Sequence, residues 1–404
     1  MTAPLASTRM PWRFVLLLST AQLISWGTVF YGYAVLMEPM MRDLGWSRPQ
    51  ASAAFSVGLV ASAVAAVPVG RLIDLGYGRS VMAGGSILAA ALLALWSRVE
   101  SYALFLALWV LLGATMSAVL YEPGFAVLQR QLGPLARRGI TVMTLLGGLA
   151  STAFIPLTHV LVERFGWRPA LLVLAAFNLL VCAVIHLVVI PPQAPRTRAE
   201  RTIPPPSNAR RVLRQAAFWG FVATVVIQGI LSTGMPIHLL PLLSERGFSL
   251  DAAVAAYAVI GPAQTSARFA VGWAERALGI RTIGLITLAL GVTAQALLPF
   301  VPPGSWTIVI FAVLYGASNG LMTILRALLP VELFGRGDYG TILGMIAAPA
   351  NLARASGPFI FGALWAWWGS YDAVVLACLV MALGSLAAYL VTLAAARERH
   401  REPA

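Results

Sequence analysis

The sequence predicts an all-α membrane protein with twelve transmembrane helices arranged as two pseudo-symmetric six-helix bundles. Of its 404 residues, 59% are hydrophobic and only 11% are charged, with a mean hydropathy of +0.82. A soluble chain carries about a quarter charged residues, so lipid is the predicted solvent for most of this exterior. A second observation, an internal repeat at an offset near 202 residues, predicts the two bundles.

Twelve apolar stretches are long enough to cross a hydrocarbon core of about 30 Å, which takes about 20 helical residues. The first begins at Trp12 and is too long for the apolar part of a signal peptide, so we expect it to remain as a membrane helix. The predicted spans are 12–37, 50–70, 80–97, 102–128, 139–162, 169–190, 216–243, 250–272, 281–300, 305–329, 340–365 and 372–396.

The basic residues predict the orientation of the chain, and all 28 of them are arginines. When both termini are placed in the cytoplasm, 19 arginines fall in cytoplasmic segments, six in external loops and three inside helices. Insertion that keeps positive loops inside produces this bias. We therefore expect cytoplasmic termini and a location in the cytoplasmic (inner) membrane.

A segment rich in proline and arginine divides the chain. Residues 191–214, PPQAPRTRAERTIPPPSNARRVLR, have no apolar periodicity and are expected to form a flexible linker. The predicted units are an N-terminal bundle at 1–190 and a C-terminal bundle at 215–404. We expect the chain to act as a monomer.

The two halves share a short polar loop between apolar spans. GRLIDLGYGRSVM at 70–82 is matched by GWAERALGIRTI at 272–283. LGAT at 112–115 matches YGAS at 315–318, and Pro156 matches Pro358. Tandem six-helix repeats in parallel orientation build one major class of secondary transporters.

Along its whole length, the chain resembles the major facilitator superfamily. Its first loop is similar to the family's loop between helices two and three, G-x-x-x-D-[RK]-x-G-[RK], with Leu75 at a usually basic position and one extra residue before Gly78. The resemblance implies that this loop and its second copy hold the cytoplasmic side closed in one state. The residues implied in that gate are Gly70, Asp74, Gly78, Arg79, Glu275, Arg276, Gly279 and Arg281.

The chemistry of the first loop supports that role. Glycines allow a tight reversal between two helices. Asp74 can lie near a neighbouring helix N-terminus, where a carboxylate is favoured by about 0.3–1 kcal/mol. A plain surface turn is the alternative interpretation.

Arg268 is the first of several charges inside apolar spans, where each costs about 2.5–3.5 kcal/mol. It lies in GPAQTSARFAVG, which is similar to helix eight of the monocarboxylate transporter branch, where an arginine binds the substrate carboxylate. That branch has an aspartate one turn earlier, and this chain has Gln264 there. The resemblance therefore implies anion binding without that proton partner, and an arginine that snorkels to the interface is the alternative.

Glu122 and Arg326 lie 204 residues apart at nearly equivalent positions of the fourth and tenth spans. One hypothesis is an ion pair that joins the halves, and the other is local pairing with Arg130 and Glu332. Glu122 is also the first candidate for a proton carrier. Arg354 is expected to link to the first loop, with a second anion contact as the alternative.

The candidate substrate-binding residues combine the charged span with aromatic and amide side chains. Packing is the commoner role for membrane aromatics. The candidates are Arg268, Gln264, Trp26, Tyr31 and Gln228.

These observations predict secondary active transport of a small, monocarboxylate-like anion by alternating access, with no cofactor and with the proton as candidate coupling ion. An efflux permease for drugs or metalloid is the alternative, with Cys182 as a candidate thiolate. The chain has no lysine and hence no phosphate loop for ATP, and its four histidines lie on separate segments without metal spacing. An enzyme or a membrane sensor is therefore less favoured.

Overall fold

Twelve long helices make up the described part of the chain, which contains no strand. The computed structural model describes residues 10–192, 208–274, 278–302 and 305–398. The helices are α1 (Trp12–Ser25, Trp26–Tyr31 and Gly32–Leu44), α2 (Arg48–Leu72), α3 (Gly78–Trp96), α4 (Tyr102–Val119 and Tyr121–Leu132), α5 (Ala136–Gly148 and Ala150–Phe165), α6 (Trp167–Ala176, Phe177–Ala183 and Val184–Val189), α7 (Ala216–Glu245), α8 (Leu250–Ala274), α9 (Ile280–Leu297), α10 (Thr307–Phe334), α11 (Tyr339–Trp368) and α12 (Tyr371–Glu398). They correspond one to one to the predicted spans.

Among the described residues, eight stretches are long and apolar enough to cross a membrane by length and composition. Two of them, Gln50–Trp96 and Tyr102–Phe165, hold two helices each. The remaining helices, α8 and α11, carry the intramembrane charges Arg268 and Arg354. A charge inside a membrane span is costly, so we expect each of these two arginines to have a function.

Because the number of helices is even, α1 begins and α12 ends on the same side of the bundle. We call this the termini side and the opposite one the far side. The last part of the predicted linker has regular structure, which its composition does not predict. Residues Asn208–Val212 form a helix, and the Asn208 side chain donates to the carbonyls of Phe334 (2.8 Å) and Gly337 (2.9 Å). The linker residues 193–207 lie outside the described residues.

At two of the prolines inside helices, a side chain from a neighbouring helix replaces the missing backbone hydrogen bond. Proline cannot donate to the carbonyl four residues earlier, so Pro123 in α4 leaves the Val119 carbonyl open. The Gln22 side chain of α1 donates to this carbonyl at 2.8 Å. These repairs satisfy the backbone where lipid cannot.

The second repair lies in α11, where Pro358 leaves the Arg354 carbonyl without its backbone donor. The Thr233 hydroxyl of α7 donates to this carbonyl at 2.8 Å. A methyl group added to Gly229, one turn earlier on α7, would lie 3.5 Å from Cγ of Arg354. Arg354 is therefore packed closely against α7.

Three hydrophobic clusters divide the core. One lies in the far-side part of α1–α6 and includes Leu93 and Trp109, and another lies in the far-side part of α7–α12 and includes Met235 and Phe311. The third contains residues of both halves, such as Phe125 of α4 and Leu343 of α11, and lies toward the termini side. The halves therefore pack on each other mainly at the termini side.

Candidate functional site

Arg268 lies at the junction of the two halves, with only 5% of its surface exposed. Its Nε donates to the Gly320 carbonyl of α10 at 3.2 Å, and its Nη1 donates to the Thr144 carbonyl of α5, in the other half, at 3.4 Å. No carboxylate among the described residues pairs with it. The side chain therefore spans the two halves and does not snorkel to the interface. A buried cation without a counter-charge is costly unless an anion joins it.

A recess in α5 receives the Arg268 guanidinium. A methyl group added to Gly148 would lie 1.9 Å from Nη1 of Arg268, and one added to Gly147 would lie 2.5 Å from the Tyr121 hydroxyl. That hydroxyl shares the Thr144 carbonyl with Arg268, at 3.5 Å. Only a pair of residues without side chains leaves room for both groups. Sequence reasoning missed Tyr121 and this glycine pair.

Aromatic residues of α1 complete the surroundings of Arg268. The Trp26 ring lies 4.9 Å from the Tyr121 ring and 6.0 Å from the Tyr31 ring, measured between centroids. Tyr31 and Tyr121 both interact electrostatically with Arg268. The Trp26 Nε1 is buried and has no hydrogen-bond partner among the described residues. It is an unused donor in the aromatic group that Trp26 forms with Tyr31 and Tyr121.

The two candidate glutamines have different positions. Gln264 lies one helical turn before Arg268 on α8, and it is half-buried. The sequence prediction groups Gln228 with Arg268, but its side chain packs between α7 and α12 and donates to the Ser385 hydroxyl at 3.2 Å. With its amide used inside the C-terminal half, Gln228 does not join the group around Arg268.

Glu122 and Arg326 form an ion pair between the halves, from α4 to α10. Their side chains are 22% and 10% exposed, respectively. Glu122 also lies in the first turn of Tyr121–Leu132, where a negative charge is favoured. The local partners considered from the sequence are engaged elsewhere. Arg130 donates to the Asp74 carbonyl, and Glu332 pairs with Arg281 at 2.7 Å.

Asp74 caps the N-terminus of α11 across the junction. Its carboxylate accepts from the Gly340 N–H at 2.8 Å, the Thr341 N–H at 2.6 Å and the Thr341 hydroxyl at 2.7 Å. These N–H groups have no acceptor within their own helix, and the carboxylate supplies one. The loop of one half thus holds the start of a helix in the other.

Helices α2 and α11 pack backbone to backbone beside this cap. A methyl group added to Gly70 would lie 2.1 Å from the Gly340 carbonyl oxygen, and one added to Gly344 would lie 2.4 Å from the Ala66 carbonyl oxygen. Gly70 therefore allows α2 and α11 to approach closely. The chain reversal that the sequence predicts at Gly70 occurs at another residue. In this loop, Gly76 has the left-handed φ of 103°.

The other gate candidates make fewer contacts between the halves. Gly78 begins α3 with an ordinary helical φ of −53°, and Gly279 precedes α9 with a φ of −64°, so neither makes the reversal expected of it. Arg79 is half-buried at the start of α3. Arg281 pairs within the C-terminal half. Two further candidates, Glu275 and Arg276, lie outside the described residues.

Arg354 does not link to the first loop, contrary to expectation. It lies thirteen residues beyond Thr341 on α11, about 20 Å along the helix at 1.5 Å per residue, which is too far for its side chain to reach Asp74. Its Nη1 donates to the Asn351 side chain at 3.1 Å. Asn351 in turn donates to the Ser62 hydroxyl of α2 at 3.2 Å, which is a further contact between the halves.

These geometries place the contacts between the halves on one side. Along α11, the hydrogen bonds to the N-terminal half run from Gly340 to Asn351, although the helix continues to Trp368. The contacts of Arg268 and Arg326 also lie in the termini-side parts of α8 and α10. In the part of the chain that the structure describes, the polar contacts seen between the halves thus lie toward the termini side.

Comparison with known proteins identifies the family. The family model of the Major Facilitator Superfamily matches residues 17–358, well over half of the chain. The chain belongs to the major facilitator superfamily. The predicted all-α class with twelve membrane helices is confirmed, and the chain is an integral membrane transporter of this superfamily.

Curated relatives of this superfamily member fall into two groups. Monocarboxylate transporter 13 of Rattus norvegicus is 27% identical over 359 residues, which cover 86% of this chain and 79% of the relative. Multidrug resistance protein MdtL of Escherichia coli O45:K1 is 24% identical over 368 residues, which cover 87% of this chain and 89% of the relative. The names of these relatives therefore differ in the kind of substrate that they state.

Solved structures of the superfamily share the fold of this transporter. The human organic anion transporter MFSD10 matches with a TM-score of 0.74 at 18% identity, covering 95% of this chain and 100% of that one. FucP in the outward conformation matches with a TM-score of 0.72 at 13% identity, covering 96% of this chain and 99% of that one. At these identities, the likeness concerns the fold.

Proposed function

We propose that this superfamily member is a secondary active transporter of small organic anions of the monocarboxylate type. The observation that carries the proposal is the buried Arg268 guanidinium, which spans the two halves without a carboxylate partner among the described residues. A carboxylate substrate supplies the missing charge and matches the guanidinium fork with two parallel hydrogen bonds. The substrate thereby neutralises a charge that the fold leaves unpaired.

The groups around Arg268 support a polar ligand with an apolar body. The unpartnered Trp26 Nε1 and the Tyr31 hydroxyl, which hydrogen-bonds no described residue, are further donors. The rings of Trp26, Tyr31 and Tyr121 offer apolar surface beside them. Gln264 is one turn away on the same helix. The names of the monocarboxylate and organic anion transporters among the similar proteins agree with this substrate class.

Transport follows from alternating access between two six-helix halves, 1–190 and 215–404, which rock about the central site. The contacts at the termini side support a state that is closed there and opens at the far side. The arginine bias supports a cytoplasmic termini side, in the inner membrane, so this state faces outward.

The gate of the transporter is the set of termini-side contacts. The Asp74 cap on α11, the Glu122–Arg326 ion pair and the close packing of Gly70 on Gly340 must separate before substrate can leave toward the termini. Within this gate, Glu122 is the proposed proton-binding residue. A neutral Glu122 side chain would no longer attract Arg326 by charge. We infer that proton binding at Glu122 loosens the gate and couples transport to the proton gradient.

Export of drug-like compounds is the second candidate function, supported by the similarity to MdtL over 87% of this chain. A metalloid version of this candidate has little support, because the Cys182 sulfur is buried between α1 and α6. It lies 3.7 Å from the Ser25 hydroxyl and 3.6 Å from the Ala21 carbonyl. The cysteine thus packs within the N-terminal half, apart from the groups around Arg268.

A transport assay in proteoliposomes distinguishes the two candidates. We expect purified protein to take up radiolabelled short-chain monocarboxylates, with saturation and with stimulation by an inward proton gradient. We expect no transport of a lipophilic cation such as ethidium. Transport of ethidium together with absence of carboxylate uptake would replace the anion proposal with the efflux candidate.

A further inference from the structure

Two distorted helical segments meet inside the N-terminal half. Trp26–Tyr31 of α1 and Phe177–Ala183 of α6 are π-helical, a form that is rare and frequent at functional sites. The Asn178 side chain of α6 donates to the Thr28 hydroxyl of α1 at 2.7 Å. This hydrogen bond joins the two π segments directly.

The bond between Asn178 and Thr28 is fully enclosed. Asn178 is 0% exposed and Thr28 is 1% exposed. The Thr28 hydroxyl donates to the Ile24 carbonyl at 2.8 Å, so its oxygen accepts from Asn178. The Asn178 Oδ1, by contrast, is buried without a hydrogen-bond partner among the described residues. An amide that is only half satisfied in an apolar bundle destabilises it, so stability alone is a poor reason for Asn178.

A third distorted helix packs at the same level. The Phe154 ring of α5 occupies the space beside Gly27, where an added methyl group would lie 2.1 Å from it. The same ring packs edge-on against Phe177, the first residue of the α6 π segment, at 5.8 Å between centroids. Helix α5 is interrupted at Leu149, immediately after the recess for Arg268. Along α5, the break at Leu149 thus lies between the recess for Arg268 and the Phe154 ring that contacts both π segments.

The π form of α1 decides which side chains share a face. In the π segment, with hydrogen bonds between residues i and i+5, both Phe30 and Tyr31 pack against Trp26, at 5.1 Å and 6.0 Å between ring centroids. In an α-helix, successive side chains turn by about 100°, so residue i+4 stays near residue i while residue i+5 moves to another face. A return of α1 to the α form would therefore rotate Tyr31 away from Trp26 and Arg268.

We propose that Thr28 and Asn178 are positioning residues for the anion site: their hydrogen bond holds α1 in the π form that presents Trp26 and Tyr31 to the carboxylate at Arg268. Neither residue touches the substrate. The proposal rests on the proposed function of anion transport. It holds that Thr28 and Asn178 affect how tightly the anion binds and do not affect the exchange between the two states of the transporter. Affinity and turnover therefore respond differently when the bond is removed.

The test uses carboxylate uptake in proteoliposomes with Thr28→Val, which keeps the shape and removes the hydroxyl, and Asn178→Leu. Each is expected to raise KM about 10-fold, which corresponds to the loss of one buried hydrogen bond. The maximal rate is expected to change less than about 3-fold. Thr28→Ser retains the hydroxyl and is expected to keep the wild-type KM. Ser86→Ala is the matched control, because it removes a buried hydrogen bond between α3 and α6, to His186 at 2.9 Å, in which α1 takes no part.

A double-mutant cycle with Tyr31→Phe separates positioning from stability. In the wild-type background, Tyr31→Phe is expected to raise KM, and in the Thr28→Val background it should add less than about 2-fold, because the two changes act on one interaction. A full Tyr31→Phe effect in the Thr28→Val protein, or an unchanged KM in both single variants, would overturn the proposal. Loss of carboxylate uptake in the wild type would instead overturn the proposed function.

Discussion

Replacement of Arg268 by alanine is expected to lower kcat/KM for carboxylate transport by at least about 100-fold. Two charge-assisted hydrogen bonds to a carboxylate contribute about 1.5–3 kcal/mol each, and about 3 kcal/mol corresponds to about 100-fold. Arg268→Lys keeps the charge but not the planar fork, so we expect an intermediate loss. Initial rates of radiolabelled carboxylate uptake in proteoliposomes measure both effects. Arg164→Ala, at an exposed arginine near the end of α5, is the control and should transport normally.

A second variant perturbs the position of Arg268 without removing it. Gly148→Ala places a methyl group where Nη1 now lies, and the flexible side chain must leave the α5 recess. We expect a higher KM from Gly148→Ala in a folded protein, whereas Gly84→Ala, with open space around the added group, should have no effect. Wild-type KM in both Arg268→Ala and Gly148→Ala would show that the anion binds elsewhere.

Loss of the Glu122–Arg326 ion pair is expected to shift the transporter away from the state closed at the termini side. Removing one partner of a buried pair costs roughly 3–5 kcal/mol. The lower end applies here because the Glu122 side chain keeps 22% exposure. A shift of about 3 kcal/mol changes the balance of the two states about 100-fold. Protease or thiol accessibility at the termini side in the Glu122→Ala protein measures this shift.

The exchanged pair, Glu122→Arg with Arg326→Glu, restores opposite charges and is expected to recover closure at the termini side. The exchange also moves the carboxylate from α4 to α10. If closure recovers but proton-driven accumulation does not, then the ion pair acts in gating separately from proton coupling. Glu122→Gln should retain carboxylate exchange and lose accumulation against a gradient. Intact proton-driven accumulation in Glu122→Gln would remove Glu122 from coupling.

Much of the fold could be predicted from the sequence because the bilayer restricts the alternatives. A spanning helix must satisfy its own backbone, so hydropathy and length, together with the internal repeat, locate the twelve helices. The position of Asp74 near a helix N-terminus also follows from its chemistry. The packing between helices does not follow in the same way: Glu122 had Arg130 as a local alternative, and spacing along the chain cannot choose between them.

The remaining parts of the site depend on how the helices rotate and deform. Hydropathy does not report which face Gln228 presents, and its amide is used by Ser385. The sequence likewise does not report the depth of Arg354 along α11, so it does not exclude a contact between Arg354 and the first loop. The π segment of α1 depends on tertiary contacts such as Phe154 against Gly27. The one available sequence signal was the Gly147–Gly148 pair, since small residues in membrane helices allow close approach.

Distances between spin labels across the two halves test alternating access most directly. One pair, Ser80→Cys with Arg336→Cys, reports the termini side, and the other, Arg42→Cys with Ser244→Cys, reports the far side. All four positions are exposed. The native cysteines, Cys182 and Cys378, are buried and are replaced by alanine, and carboxylate uptake is checked in each labelled protein.

Without substrate, we expect a short distance for the termini-side pair and a long one for the far-side pair, measured by pulsed electron paramagnetic resonance in lipid. Carboxylate with a proton gradient, or Glu122→Gln alone, should populate the opposite arrangement, with the termini-side pair longer and the far-side pair shorter. Distances at both sides that stay unchanged under all of these conditions, in protein that still transports carboxylate, would contradict a gate formed by the termini-side contacts.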